Sequence, residues 1–154
     1  MEPARGTTDE FAEWVAPHAA AMHQLAARLS GRDDGEDVVQ DSLVRAWRRW
    51  ETFRPERGTP QTWLLAIVAD QARQRRRRRP APLASEGSVS FEPDIDLERA
   101  IARLAHRQRL AVELHYFVGL GVKEVARVMG CAEGTVKSTL ADARARLRGW
   151  LDES

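Results

Sequence analysis

The chain is poor in several features, and each shortage narrows the class of protein. Among its 154 residues there is one cysteine, Cys131, which excludes an internal disulfide and a cysteine-rich zinc site. Long apolar runs are missing too, because Pro17, two histidines and an arginine interrupt the stretch 15–29. The N-terminus is acidic where a signal peptide needs positive charge. We therefore expect a cytoplasmic protein with no membrane insertion of its own.

Motifs for catalysis are equally scarce. The sequence has no HExxH, no GxSxG and no glycine-rich phosphate loop. Its histidines do not follow the spacing of a zinc-binding helix, since His18 and His23 are five residues apart. Cys131 occupies an apolar position in a turn, where packing is the expected role. We predict that the protein is not an enzyme and uses no metal or cofactor.

Charge is balanced over the whole chain but sorted along it. The net charge is +1, whereas residues 1–44 carry −6 and residues 45–79 carry +8. Residues 80–98 carry −5, and residues 99–154 carry +4. Two basic segments separated by acidic ones predict two places that meet a polyanion.

The apolar spacing is helical almost everywhere, with no sustained alternation typical of strands. We predict an all-α protein of two small helical domains, residues 1–79 and 95–154, joined by a linker at residues 80–94. The linker is indicated by its three prolines and three serines. The predicted helices run approximately over Thr8–Leu29 with Thr8 as N-cap, Glu36–Trp50, Gln61–Arg79, a short helix ending at Leu104, His106–Phe117, Val122–Met129 and Ala132–Leu151.

The strongest local signal is a helix-turn-helix at residues 122–140. Ala126 is the small residue needed where the two helices touch, and Gly130 tolerates the positive φ of the turn. Val136 is the apolar anchor of the second helix. The opposite side of that helix can reach phosphates and base edges, which favours DNA binding over a plain helical hairpin.

Two further features lie near the first basic segment. Five consecutive arginines, residues 75–79, either form a solvated helix end or contact phosphates, and their mutual repulsion favours phosphate contact. Most of the five tryptophans suit a core. Phe53 and Trp63, however, border a basic loop containing Pro and Gly, where an aromatic ring either packs in the core or stacks on an unpaired base.

Three segments resemble the extracytoplasmic-function (ECF) sigma factors. Residues 34–47, DGEDVVQDSLVRAW, are similar to the family's AEDLVQETFLRAW. Residues 53–67 resemble its F…G…TWL..IA pattern, and residues 134–147 resemble GTVKSRLHRARERL. The three occur in the family's order and spacing. The resemblance implies a σ2 and a σ4 domain in a non-enzymatic bacterial initiation factor, which associates with the nucleoid when bound to polymerase.

The resemblance also implies roles for particular residues. The residues that dock on the β′ clamp helices of core RNA polymerase would be Asp37, Gln40, Asp41, Arg45 and Trp47. Those that recognise and open the −10 element would be Phe53, Arg54, Arg57, Trp63, Arg73, Arg75, Arg76 and Arg77. Those in the major groove of the −35 element would be Thr135, Lys137, Ser138, Thr139 and Arg144. The implied partners are core polymerase, including its β flap, promoter DNA and an anti-sigma factor.

The chain departs from the family pattern on both DNA-binding helices. Thr139 stands where the family often has Arg, and Ala141 and Asp142 stand where it has His, aromatic or basic residues. An acid on a groove-facing helix lowers phosphate affinity, which predicts weak or unusual −35 binding. Residues 68–70, VAD, replace a common ARN, so an Arg and an Asn are missing from the −10 contacts.

Two other hypotheses remain beside the sigma factor. One is a helix-turn-helix regulator that binds DNA without docking on polymerase. The other is a helical adaptor whose partners are only proteins. Charge reversal at Asp37 distinguishes the first, and neutralising residues 75–79 distinguishes the second, because only a DNA-binding protein would lose salt-dependent affinity.

Overall fold

The computed structural model describes residues 6–78 and 95–153, which are helical with no strand among them. The chain divides into two compact units, residues 1–81 and 82–154. The all-α class with two small helical domains is thereby confirmed. The linker proposed at residues 80–94 lies outside the described residues, as does Arg79, the last of the arginine run.

Over its described residues, 6–78, the first unit contains four α-helices: α1 (Thr8–Val15), α2 (Ala19–Ser30), α3 (Arg32–Arg49) and α4 (Pro60–Arg78). The single helix expected over residues 8–29 is wrong, because a 3-10 turn at Ala16–His18 separates α1 from α2. Pro17 lies in this turn and has no N–H for a regular helix. The N-cap is Thr7 rather than Thr8, and Thr7 and Glu10 form a reciprocal capping box.

Helix α3 begins earlier than its apolar pattern suggests. Asp33 and Asp34 precede the predicted start at Glu36 but lie in the first turn of the helix, where acidic side chains interact favourably with the helix dipole. Gly31, with φ of +83°, separates α2 from α3. Gly35 is buried, and a Cβ there would lie 3.0 Å from the backbone of Ala27. The second glycine therefore permits the close packing of α3 on α2.

The core of the first unit is made by α2, α3 and α4. Its fully buried side chains include Met22, Leu25, Val38, Leu64, Leu65 and Val68. Ser42 is buried among them, and its hydroxyl donates to the Val38 carbonyl at 2.6 Å. This packing presents one long side of α3 and the arginine-rich end of α4 to solvent.

The second unit contains α5 (Ile95–Arg103), α6 (His106–Val112), α7 (Val122–Met129) and α8 (Glu133–Asp152). The expected helix over 106–117 is present, but its last five residues, Glu113–Phe117, widen into a π-helix. Glu113 is fully buried in that turn, 3.9 Å from the Arg109 guanidinium. The core is aliphatic and includes Leu114, Val125, Val136 and Leu140.

Candidate polymerase and nucleic-acid interfaces

One side of α3 is exposed and polar. Asp37, Gln40 and Asp41 lie there at helical spacing, opposite the buried Val38, Val39 and Ser42. Val44 continues the same side one turn further and leaves 49% of its surface exposed. The sequence analysis did not single out Val44, although helical spacing from Gln40 and Asp41 places it on this side. The surface combines acids with one apolar side chain, which suits a protein partner.

The other two residues assigned to docking are half-buried. Arg45 keeps part of its side chain exposed. Trp47 packs edge-on against Phe11 with ring centroids 5.3 Å apart, and lies 6.2 Å from Trp50 in a stacked arrangement. Trp47 therefore joins α3 to α1 within the first unit.

The loop between α3 and α4 is built from two 3-10 turns, Trp50–Thr52 and Pro55–Arg57. Arg54 lies between them, and its guanidinium donates to the carbonyls of Glu51 and Phe53 at 2.9 and 3.1 Å. Thr59 and Thr62 exchange hydrogen bonds that cap the start of α4. Short-range bonds thus give this basic loop a defined shape.

Phe53 lies in this loop and Trp63 near the start of α4, and the two rings contact each other with centroids 5.7 Å apart. Both rings also contact Trp14 of α1. All three rings are half-buried. Each ring therefore packs against its neighbours with part of its surface and leaves another part exposed. The two alternatives posed by the sequence, core packing and an available stacking surface, both apply here.

The arginines of α4 do not act as one group. Arg75 points toward α3, and its Nη2 lies 3.3 Å from Asp34 and 3.0 Å from Asp37. Arg73, Arg76, Arg77 and Arg78 have exposed side chains. Asp70, on the same helix, accepts a hydrogen bond from Gln74. The structure thus pairs Arg75, which was assigned to DNA, with Asp37, which was assigned to polymerase. The side chains of the other described arginines of α4 remain exposed to solvent.

The helix-turn-helix has the geometry that its sequence predicts. Gly130 adopts φ +67° and ψ +40°, the left-handed conformation of a helix C-cap. Ala126 is buried beneath the second helix, and Val136 and Leu140 anchor that helix in the core. Cys131 is half-buried rather than buried, and its backbone N–H donates to the Ala126 carbonyl.

The outward side of α8 carries most of the residues assigned to the −35 element. Thr135, Lys137, Ser138 and Arg144 are exposed, as are Ala141 and Asp142, whereas Thr139 is half-buried. The Ser138 hydroxyl donates to the Thr135 carbonyl at 3.1 Å. The Arg144 guanidinium donates to the Tyr116 hydroxyl at 2.9 Å, a partner that the sequence did not indicate.

Neither unit offers an obvious site for another kind of ligand in the part of the chain that is described. Over residues 6–78 and 95–153, no three His, Cys, Asp or Glu side chains come together as metal ligands. The described helices also include none that is both long and apolar enough to cross a bilayer.

Comparison with known proteins assigns both units. Residues 14–80 match the family model of sigma-70 region 2, and residues 94–147 match that of sigma-70 region 4. The ECF RNA polymerase sigma factor SigM of Mycobacterium tuberculosis is 37% identical over 141 residues, which cover 84% of this chain and 71% of SigM. SigL of the same species is 32% identical over 151 residues, covering 88% of this chain and 85% of SigL.

A solved structure agrees with these sequence matches. The sigma factor RpoE of Bartonella quintana, in complex with the anti-sigma factor NepR, superposes with a TM-score of 0.70 at 29% identity. The match covers 94% of this chain and 98% of that one. The helical units and the helix-turn-helix are those of a sigma-70 type initiation factor.

Within that class, the chain belongs to the ECF sigma factors, group 4 of the sigma-70 family. It is an alternative sigma factor that directs promoter-specific transcription with RNA polymerase. The resemblance noted from the sequence is therefore confirmed.

Proposed function

We propose that the first unit docks on core polymerase and opens the −10 element, while the second unit reads the −35 element. The observation that carries this division is the separation of two surface types within the first unit. The exposed side of α3 carries Asp37, Gln40 and Asp41, and the exposed side chains that end the described part of α4 are Arg76, Arg77 and Arg78. An acidic side repels DNA and suits a protein, whereas a cationic end attracts phosphates.

The docking partner we propose for the α3 side is the β′ clamp helices of polymerase. Gln40, Asp41 and Val44 are exposed, and neither polar side chain makes a hydrogen bond or ion pair to another of the described residues. Arg45 and Trp47 support this side from the half-buried flank of the helix. Charged groups at the edge of such an interface would steer docking, and the apolar Val44 would be buried on contact.

Opening of the −10 element needs binding that favours unpaired bases over the duplex. Flipping a base costs a few kcal/mol, and an aromatic stack returns about 1–3 kcal/mol per base. We propose that Phe53 and Trp63 supply the stacking surface, with Arg54 and Arg57 beside them on the loop. The exposed Arg73, Arg76 and Arg77 would hold the neighbouring phosphates. Arg75 contributes to this site by holding α4 to α3.

The −35 element would be read in the major groove by the outward side of α8. Thr135, Lys137, Ser138 and Arg144 are exposed there, with Thr139 at the margin. Asp142 on the same helix repels phosphates, which disfavours binding to DNA of any sequence through backbone contacts alone. We propose the polymerase β flap as the protein contact of this unit, and two tethered contacts on one promoter raise specificity by effective concentration.

We also propose that an anti-sigma factor holds the protein inactive in the cytoplasm, with nucleoid association only when it is bound to polymerase. The related RpoE of Bartonella quintana is in complex with the anti-sigma factor NepR. Like its sigma factor relatives, the chain would have no catalytic activity of its own. Pull-down from the native host should recover a sequestering partner, and a protein fully active whenever expressed would contradict this.

The deciding experiment is run-off transcription from a genomic promoter library with bacterial core polymerase, with and without the protein. New start sites that share two spaced elements would support the proposal and reveal both promoter sequences. If transcription matches that of core polymerase alone while the protein binds DNA unaided, the regulator hypothesis is favoured instead.

Docking is tested best at Asp41, because Asp37 pairs with Arg75 and its replacement would also disturb α4. We expect Asp41→Arg to weaken assembly with core polymerase at least about tenfold without loss of helicity, since a charge at a docking surface contributes a few kcal/mol when reversed. Glu13→Arg is the matched control, an exposed acid on α1. Equal assembly of the two variants would contradict docking through α3.

A further inference from the structure

Trp14, on α1, completes a triangle with the two loop rings, Phe53 in the loop itself and Trp63 near the start of α4. Its ring centroid lies 5.2 Å from that of Phe53 and 5.7 Å from that of Trp63. Phe53 and Trp63 are themselves 5.7 Å apart, and all three pairs meet edge-on at 68°. Edge-to-face contact at these distances is a favourable aromatic geometry.

The triangle gives each loop ring two aromatic neighbours within the described residues. For Phe53 these are Trp63 and Trp14, and for Trp63 they are Phe53 and Trp14. Removing Trp14 would therefore leave a single ring contact, the one between Phe53 and Trp63. Phe53 lies in a loop held mainly by short-range hydrogen bonds, and Trp63 lies near the start of α4. The contacts with Trp14 therefore tie both rings to α1.

Helix α1 is itself firmly attached. Its N-terminus is closed by the Thr7–Glu10 capping box, and Phe11 is buried against Trp47 and Trp50. Gly6 lies so close to Trp50 that a Cβ there would stand 2.7 Å from the indole ring. Trp14 thus projects from a fixed helix and can act as a support.

A support of this kind matters for capturing bases. A side chain that is already ordered loses less conformational entropy when it binds than one that must be ordered by its ligand. The three rings are half-buried, so each is held while part of its surface stays open to a ligand. A base leaving the duplex would then meet rings already in place.

We propose that Trp14 is a positioning residue for promoter opening, which acts by holding Phe53 and Trp63 where they capture unpaired bases of the −10 element. This inference rests on the proposed function of the two loop rings. Nothing in the sequence pattern separates Trp14 from an ordinary core tryptophan, because the contact is formed between α1 and a loop almost forty residues away.

The test compares two forms of one promoter, chosen from the run-off experiment and bound by saturating holoenzyme. One form is fully duplex, and the other carries a mismatched, already open −10 region. We expect Trp14→Leu to slow open-complex formation on the duplex about tenfold, the size of effect expected when one base–aromatic stack is weakened. On the open form at saturation, transcription should fall less than twofold, because no base has to be extracted.

A merely structural role would behave differently. A smaller folded fraction would lower activity on both templates by the same factor, and that outcome would overturn the proposal. Trp14→Phe, which keeps an aromatic ring, should restore most of the duplex rate. Trp150→Leu is the matched control, since Trp150 lies in the second unit, where its ring stacks on the guanidinium of Arg103. It should leave the ratio between the templates unchanged, and an equal change in that ratio would also overturn the proposal.

The variant Trp63→Leu tests the proposed stacking role of the loop rings separately from the proposed role of Trp14. If Trp63→Leu leaves the duplex rate unchanged, the proposed role of the loop rings is wrong. If Trp63→Leu slows opening while Trp14→Leu does not, the role of the loop rings stands and the inference about Trp14 is wrong.

Discussion

The two units build their candidate DNA-binding surfaces in different ways. In the second unit the surface lies on one helix, α8, and the turn that orients it begins at Gly130, three residues before the helix. In the first unit the surface is assembled from α1, the loop after α3, and α4. The proposed −35 surface is therefore local in the chain, and the proposed −10 surface depends on tertiary contacts between distant segments.

The cores of the two units also differ in the kind of side chain that fills them. The first unit holds four of the five tryptophans, at positions 14, 47, 50 and 63, whereas the core of the second is aliphatic. The aromatic cluster of the first unit lies at the border of its core, and the residues proposed to meet DNA belong to it. Stability and the proposed opening of DNA would thus be coupled in the first unit, whereas stability and the proposed −35 binding would be more separable in the second.

The largest expected effect comes from Phe11→Ala. Phe11 is 8% exposed and contacts Trp14, Trp47 and Trp50, so its loss should destabilise the first unit by about 3–5 kcal/mol. Tryptophan fluorescence reports mainly this unit, and the urea midpoint measured by it should fall. Leu140→Ala, in the second core, should cost about 2–5 kcal/mol and shift far-UV circular dichroism more than fluorescence. If the fluorescence and circular dichroism midpoints shifted equally in each variant, the predicted difference between the two cores would be contradicted.

The next largest effect concerns the turn of the second unit. Gly130→Ala places a Cβ at φ +67°, which should cost about 1–2 kcal/mol and weaken −35-dependent transcription. Gly149→Ala is the control, because Gly149 lies within α8 with open space around it, and alanine there should stabilise by about 0.5–1 kcal/mol. Urea denaturation measures both. A neutral Gly130→Ala would contradict the turn assignment.

A smaller effect separates two neighbouring arginines of α4. Arg75→Ala should cost about 0.5–1 kcal/mol in unfolding free energy, since its two ion pairs with Asp34 and Asp37 are partly exposed. Arg76→Ala should leave stability unchanged but reduce the salt dependence of promoter binding by about one phosphate contact. The measurements are urea denaturation and binding at several salt concentrations. The reverse pattern would show that Arg75 faces DNA.

The smallest effect is expected for Tyr116→Phe. Loss of its exposed hydroxyl removes the acceptor for Arg144 and should weaken holoenzyme binding to a −35 duplex about twofold. In an Arg144→Ala background the same change should have no further effect. Additive losses in the double variant, measured by fluorescence anisotropy, would mean that Tyr116 acts independently of Arg144.

Most of the second unit was predictable because its signals are local. Ala126, Gly130 and Val136 have the spacing of a helix-turn-helix, and all three occupy the expected places. In the first unit the long helices were predicted, but the break at Pro17 and the early start of α3 were not. A proline early in an apolar stripe is compatible with either one helix or two, and acids suit both a loop and a first helical turn.

The amino-acid sequence by itself determined the class of fold, the helix-turn-helix and the family, because helical periodicity, a positive-φ glycine and ordered motifs are properties of neighbouring residues. Only the tertiary structure decided that Arg75 pairs with Asp34 and Asp37, that Arg144 bonds Tyr116, and that Trp14 contacts Phe53 and Trp63. These contacts join side chains 28 to 49 residues apart. Which of several equivalent arginines or tryptophans comes within reach depends on how the helices pack, and no local pattern distinguishes among them.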